Sequence, residues 1–292
     1  MDVTRLYGTG VALVTPFLDN EEIDFNGLKK LLEEATRKGV DYFVVQGTTG
    51  ESVTTNASEK LEILDFVKKN NPSKLPIVYG IGGNNTKQVL ETIKSTDLNG
   101  VEALLSVSPY YNKPSQDGII KHFEKVADES PVPVILYNVP GRTSSNLTAN
   151  TTLELAKHPN IIGIKEASGN VEQAMEISYK KPADFLLISG DDMLTVPLYS
   201  IGAKGVISVL ANAFGDIFKN MKDYSFKGDY EKASKEAFKL LEINPLMYSE
   251  SNPVGIKEVL EIQGVCKNNV RMPLLKPSES LKNKIKDVIS RM

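Results

Sequence analysis

Lys165 ends the run Ile161-Ile162-Gly163-Ile164, and Glu166-Ala167-Ser168-Gly169 follows it. The run is short, rich in isoleucine and closed by turn residues, so it reads as a buried strand. Strand alternation puts Ile161, Gly163 and Lys165 on one face and Ile162 and Ile164 on the other. An amine held among apolar groups loses the hydration that favours its charged form. The neutral amine attacks carbonyl carbon, which is the start of Schiff-base chemistry. Taken alone, the same residues equally suit a lysine whose stem lies on apolar surface and whose head reaches water.

Other stretches carry groups such chemistry would need. Tyr137, in Leu136-Tyr137-Asn138-Val139-Pro140-Gly141-Arg142-Thr143, is placed to pass a proton to and from a reacting carbonyl, although tyrosine is also a common core residue. Arg142 suits bidentate binding of a substrate carboxylate, or plain solvation on its loop. Gly47-Thr48-Thr49-Gly50-Glu51-Ser52 offers successive N–H groups and hydroxyls for an anion, or a simple glycine turn; it lacks the Gly-Lys-Ser/Thr ending of a P-loop. Gly80-Ile81-Gly82-Gly83 has Asn85 where a dinucleotide fingerprint needs its third glycine, so it reads as a loop. Tyr110-Tyr111 fits an exposed aromatic pair at an interface.

Composition narrows the classes. The 292 residues are 41% hydrophobic and 24% charged with a net charge of −3, so neither nucleic acid nor an anionic membrane is an expected partner. Cys266 is the single cysteine, which excludes an internal disulfide and fits a reducing compartment. Met1 to Tyr7 has no apolar segment of signal length, and no apolar run is long enough to span a bilayer, so a cytoplasmic protein is expected. His122 and His158 stand far apart, without ligand-spaced partners, and both are expected at the surface. Asp191-Asp192 is a weak magnesium signal and reads better as a cap for the helix after it. No metal is expected.

These residues must be positioned by a repeating framework. Apolar strands at Gly10–Val14, Tyr42–Val45, Pro76–Ile81, Ala103–Val107, Val134–Tyr137, Ile161–Lys165, Phe185–Ile188 and Gly205–Val209 alternate with helical patterns. Strands without clean polar alternation argue for a parallel sheet covered on both faces. Eight such units predict an α/β protein, a (β/α)8 TIM barrel in residues 1–227, with a C-terminal helical extension in residues 228–292 packed on it. In that tail Ala233, Ala237, Leu240 and Leu241 share a predicted helix face, and Pro253 starts another helix. Barrel active sites lie at the C-terminal strand ends, where Lys165, Tyr137, Gly190 and the loops after the second and fourth strands should converge.

Gly47-Thr48-Thr49-Gly50-Glu51, Pro109-Tyr110-Tyr111-Asn112-Lys113-Pro114, Tyr137 to Thr143 and Gly163-Ile164-Lys165-Glu166-Ala167 together resemble the dihydrodipicolinate synthase family, over essentially the whole chain. The resemblance implies a class I aldolase that condenses pyruvate with aspartate semialdehyde, without metal or organic cofactor, on the diaminopimelate route to lysine. It implies that Lys165 forms the imine, that Tyr137 relays protons, and that Thr48 links Tyr137 to Tyr111, which reaches in from a neighbouring subunit. Thr49 would hold the pyruvate carboxylate, Arg142 the semialdehyde carboxylate, and the backbone of Gly190 and Ile207 would line the pocket. A homotetramer, a dimer of dimers, is implied. The lysine, the tyrosine and the Gly-Thr loop are shared with N-acetylneuraminate lyase and keto-deoxy sugar acid aldolases, whereas Pro140 to Thr143 and Tyr110-Tyr111 favour the synthase. Where lysine-inhibited members carry histidines and a glutamate, this chain has Ala57, Lys60 and Gln88; lost charge pairing implies weak or absent feedback by lysine.

Overall fold

The structure, a computed structural model, describes residues 2–292. Its eight strands are β1 (Gly8–Ala12), β2 (Tyr42–Val45), β3 (Ile77–Gly80), β4 (Ala103–Val107), β5 (Val134–Asn138), β6 (Ile161–Glu166), β7 (Leu186–Ser189) and β8 (Gly205–Ser208). They pair in chain order around a closed barrel. The helices between them are α1 (Phe25–Arg37), α2 (Ala57–Asn70), α3 (Thr86–Ser95), α4 (Gln116–Glu129), α5 (Pro140–Thr143), α6 (Ala149–Leu155), α7 (Val171–Lys180) and α8 (Thr195–Ser200). After β8 come α9 (Ala211–Ser225), α10 (Tyr230–Phe238), α11 (Val254–Ile262) and α12 (Glu279–Arg291). This is the expected (β/α)8 barrel with a C-terminal helical extension. No helix among the described residues is long and apolar enough to cross a membrane.

The chain divides into two compact units. One contains Pro76–Ile207. Its strands are parallel, and their registers set Val107 beside Tyr137, Tyr137 beside Lys165 and Lys165 beside Ile188. All five positions of β5 and all six of β6 are buried, which is why neither alternates in polarity. The helices bury one stripe each, as with Ile119, Phe123, Val126 and Ala127 of α4. Side-chain caps start them. Ser115 accepts from Gly118 N at 3.2 Å to open α4, and Asn170 accepts from Gln173 N at 3.0 Å to open α7. Each fully buried Leu, Ile or Phe in such a core contributes about 1.5–3 kcal/mol.

The other unit combines Gly8–Leu75 with Ser208–Met292. Here β1 starts two residues earlier than the apolar pattern predicts, because Gly8 and Thr9 carry no apolar signal although both are buried. Gly10 is needed there: a Cβ would lie 2.2 Å from the Tyr42 ring. Leu28, Leu31, Leu32 and Ala35 form the buried stripe of α1, and Asn56 with Glu59 makes a capping box at α2. In the tail, Ala233, Ala237 and Leu240 are buried as expected, but Leu241 is 52% exposed. The reason is that α10 ends at Phe238, so the helical period no longer applies. α11 is buried on every side from Val254 to Leu260, including Lys257 and Glu258.

Candidate active site

Adjacent strands β5 and β6 bring the two central groups together. Tyr137 stands opposite Lys165, and Asn138 opposite Glu166. Lys165 is 6% exposed and Tyr137 7%, with the lysine Nζ 4.3 Å from the centre of the tyrosine ring. The amine of Lys165 thus rests against the face of Tyr137. The next residue on each strand points the other way. Asn138 Nδ2 donates to both oxygens of Glu166, at 3.2 and 3.0 Å. Gln173 Nε2 of α7 donates to the same carboxylate at 2.9 Å, and Ser168 N at 2.7 Å. A buried carboxylate with this many donors locks the register of the two strands, and with it the lysine–tyrosine contact.

Gly190, after β7, closes the space beside the lysine stem. Its N–H donates to Glu166 O at 2.7 Å, and a Cβ there would lie 3.1 Å from Lys165 Cε and 2.5 Å from Ala167 Cβ. Ile207 is buried in β8. Arg142 sits on α5, a four-residue helix that the sequence pattern did not predict, and its side chain is exposed. Tyr111 is 89% exposed with φ +73°, a left-handed backbone that non-glycine residues adopt sparingly and that clusters at functional loops. Asn112 Nδ2 donates to Asn84 O at 3.0 Å and ties that loop down.

Thr48 and Thr49 belong to the other compact unit, on the loop after β2. Thr48–Gly50 forms one turn of 3₁₀ helix, in which Gly50 N and Glu51 N donate to Gly47 O and Thr48 O. Two of the N–H groups that an anion nest would offer are therefore used within the turn. Thr48 is half-buried and Thr49 buried. Behind the turn, Glu51 accepts from Lys257 Nζ at 2.5 Å and from Arg271 N at 3.0 Å. The Lys257–Glu51 pair is almost wholly buried, at 0% and 2% side-chain exposure. Lys257 also donates to Asn269 O at 2.7 Å and lies 4.3 Å from the Phe17 ring centre. Burial lowers the pKa of Lys257, opposed by the Glu51 charge. Arg271 adds a bidentate pair with Glu59 and a bond to Thr54 O. Asn252 Nδ2 donates to Thr49 Oγ1 at 3.0 Å.

Residues 5–292 match the Dihydrodipicolinate synthetase family. The chain belongs to that family. It is 49% identical over 279 residues to a 4-hydroxy-tetrahydrodipicolinate synthase of Cytophaga hutchinsonii, covering 96% of this chain and 94% of the relative. It is 46% identical to the enzyme of that name from Flavobacterium psychrophilum, covering 95% of each chain. Among solved structures, dihydrodipicolinate synthase from Aquifex aeolicus superposes with a TM-score of 0.93 at 34% identity, over 98% of this chain and 97% of that one. The enzyme from Cyanidioschyzon merolae, solved with lysine bound, gives a TM-score of 0.94 at 36% identity over 98% of both chains.

In this member of the dihydrodipicolinate synthetase family, several polar groups around the candidate site were not singled out by sequence reasoning. Asn138 and Glu166 each directly follow a candidate residue, and a polar side chain on the outer face of a buried strand was the available signal. Asn252, Lys257 and Arg271 lie far along the chain from Thr49 and Glu51, and nothing local marks them. Three expectations need correcting. His122 is buried rather than at the surface, with Nδ1 2.9 Å from Thr86 Oγ1, because it falls on the inward stripe of α4. His158 is half-buried, with its ring between Asp128 Oδ1 and Asn160 N. Asp191 does not cap α8, whose N-cap is Leu194 without a side-chain bond; its Oδ1 instead accepts from Met193 N and Leu194 N, at 2.9 and 3.3 Å, in the turn before that helix. Burial pushes the Cys266 thiol up to about 12, so it is a packing residue and not a nucleophile.

Proposed function

We infer that the protein condenses pyruvate with L-aspartate 4-semialdehyde to 4-hydroxy-tetrahydrodipicolinate, on the diaminopimelate route to lysine, as a lysine-imine lyase. The neutral amine of Lys165 adds to the keto carbon of pyruvate, and loss of water leaves a protonated imine. That cation draws electrons from the methyl carbon, which releases a proton and becomes an enamine. The enamine carbon bonds to the aldehyde carbon of the second substrate. The substrate's own amine then attacks the imine carbon, closes the ring and expels Lys165, with one water lost overall. Tyr137 shuttles the protons at the carbinolamine and at the new hydroxyl. Thr49 and the adjacent backbone hold the pyruvate carboxylate, Arg142 the semialdehyde carboxylate, and Gly190 and Ile207 line the pocket through their backbones.

The single observation that carries this reading is the buried lysine amine against the face of Tyr137 on the neighbouring strand. The protein acts as a cytoplasmic homotetramer, with residues 1–227 as the catalytic barrel and 228–292 as its helical domain. Tyr111, exposed on a strained loop, crosses to the partner subunit's site and connects through Thr48 to Tyr137. That exposure and the positive φ support the exchange. The test is borohydride reduction in the presence of pyruvate, followed by peptide mass mapping. A pyruvate-derived mass increase on the Lys165 peptide is expected, and turnover with aspartate semialdehyde but not with sugar acids. Folded protein without that adduct would overturn the reading.

A further inference from the structure

The turn that carries Thr49 is gripped at two points by one segment of the C-terminal region. Asn252 donates to Thr49 Oγ1, and five residues on, Lys257 donates to Glu51 Oε1. Between them, Gly50 is held by Thr15 Oγ1, which donates to its carbonyl at 2.6 Å. This turn is therefore fixed in position before any substrate arrives. The contact with Thr49 does something more specific than hold the backbone.

A threonine hydroxyl has one proton to donate and two lone pairs to accept with. Asn252 Nδ2 occupies one lone pair, so the Thr49 proton must turn elsewhere. Among the described residues, no acceptor takes it. Thr49 is 3% exposed and Asn252 6%, so bulk water does not scramble this direction. Asn252 Oδ1 is itself buried with no partner among the described residues, a cost that folds tolerate chiefly where function asks for it.

We infer that Asn252 is a positioning residue that aims the Thr49 hydroxyl proton at the carboxylate of the 2-oxo acid substrate. The inference rests on the functional reading above, in which Thr49 holds that carboxylate. A hydroxyl already committed as acceptor to an amide presents only its proton to the incoming anion. An uncommitted hydroxyl would first have to be reoriented.

The substitution that separates this role from packing is Asn252→Asp. It keeps the shape but can only accept, so it takes the Thr49 proton and turns lone pairs toward the substrate anion. KM for pyruvate is expected to rise on the order of 100-fold, with KM for the aldehyde little changed. Asn252→Ala, which frees the hydroxyl without reversing it, is expected to raise KM for pyruvate about tenfold. In a Thr49→Val background, Asn252→Ala is expected to add nothing, because the group it positions is gone. Melting curves establish that each variant is folded; if Asn252→Asp is not, the cycle of Asn252→Ala with Thr49→Val decides. A folded Asn252→Asp with wild-type KM for pyruvate would overturn the inference, as would additive effects in the cycle. Loss of the borohydride-trapped adduct in the unmodified protein would instead overturn the functional reading.

Discussion

Asn138 and Glu166 face each other across β5 and β6, one residue beyond the Tyr137–Lys165 pair and on the opposite face. The carboxylate is buried, and its partners are neutral amides and a backbone N–H rather than a cation. It therefore joins α7 and two strands by hydrogen bonds alone, and the geometry of the lysine inherits that rigidity.

Replacing Glu166 by Gln keeps volume but turns an amide donor toward donors that had a carboxylate to bond. Glu166→Gln is expected to lose about 2–4 kcal/mol of stability and to lower kcat more than it changes KM. Urea unfolding and initial rates measure both. A stability loss below about 1 kcal/mol would mean that the network does not hold the strands.

Gly190 has no room for a side chain. A methyl group would push on Ala167 Cβ and on Lys165 Cε, so Gly190→Ala must displace the Lys165 stem or the strand that carries it. The rate of borohydride trapping with pyruvate is expected to fall by about 100-fold, since a shift of about 1 Å in a reacting group has that effect. Trapping at the wild-type rate would sink the idea that Lys165 is confined there.

Burial lowers the pKa of His122 from 6.5 to about 4. Between those values the unfolded chain binds a proton that the folded chain does not, so stability from this group is full above pH 6.5 and falls as pH drops toward 4. The loss amounts to about 3 kcal/mol over that window. Urea unfolding from pH 7.5 down to 4.5 should show a steeper decline for wild type than for His122→Gln. Parallel declines would contradict the assignment.

Ala57 and Gln88 are exposed and Lys60 is half-buried, with burial lowering its pKa. None of the three offers a carboxylate to a ligand ammonium. Free lysine is expected to leave the condensation rate unchanged at concentrations below about 1 mM. Half-inhibition in the micromolar range would show that other groups form an effector site.

What could be read from sequence was whatever short-range pattern records. Non-alternating apolar runs predicted the strands, helical spacing predicted the helices between them, and motif residues at strand ends marked Lys165, Tyr137, Thr49 and Gly190. Two limits of that reading are physical. Gly8, Thr9 and Gly10 are buried at the start of β1 without apolar side chains, since Asp41 and Lys222 pack against Gly8, Asp41 against Thr9 and the Tyr42 ring against Gly10. His122 looks polar in a one-dimensional reading, yet it occupies an inward helix position where desolvation decides its charge.

By itself, then, the sequence determined the barrel and the order of its elements, because periodicity is a local property, and it marked Lys165 and Tyr137 as candidates at strand ends. Tertiary structure alone decided that Tyr137 and Lys165 are register partners, that Glu166 is held by Asn138 and Gln173, and that Lys257 pairs with Glu51 across a separation of 206 residues. Such pairs depend on which buried donors and acceptors meet once the chain has closed on itself. No local pattern encodes that meeting, since each partner alone is an ordinary polar residue whose burial is stable only when the other is there.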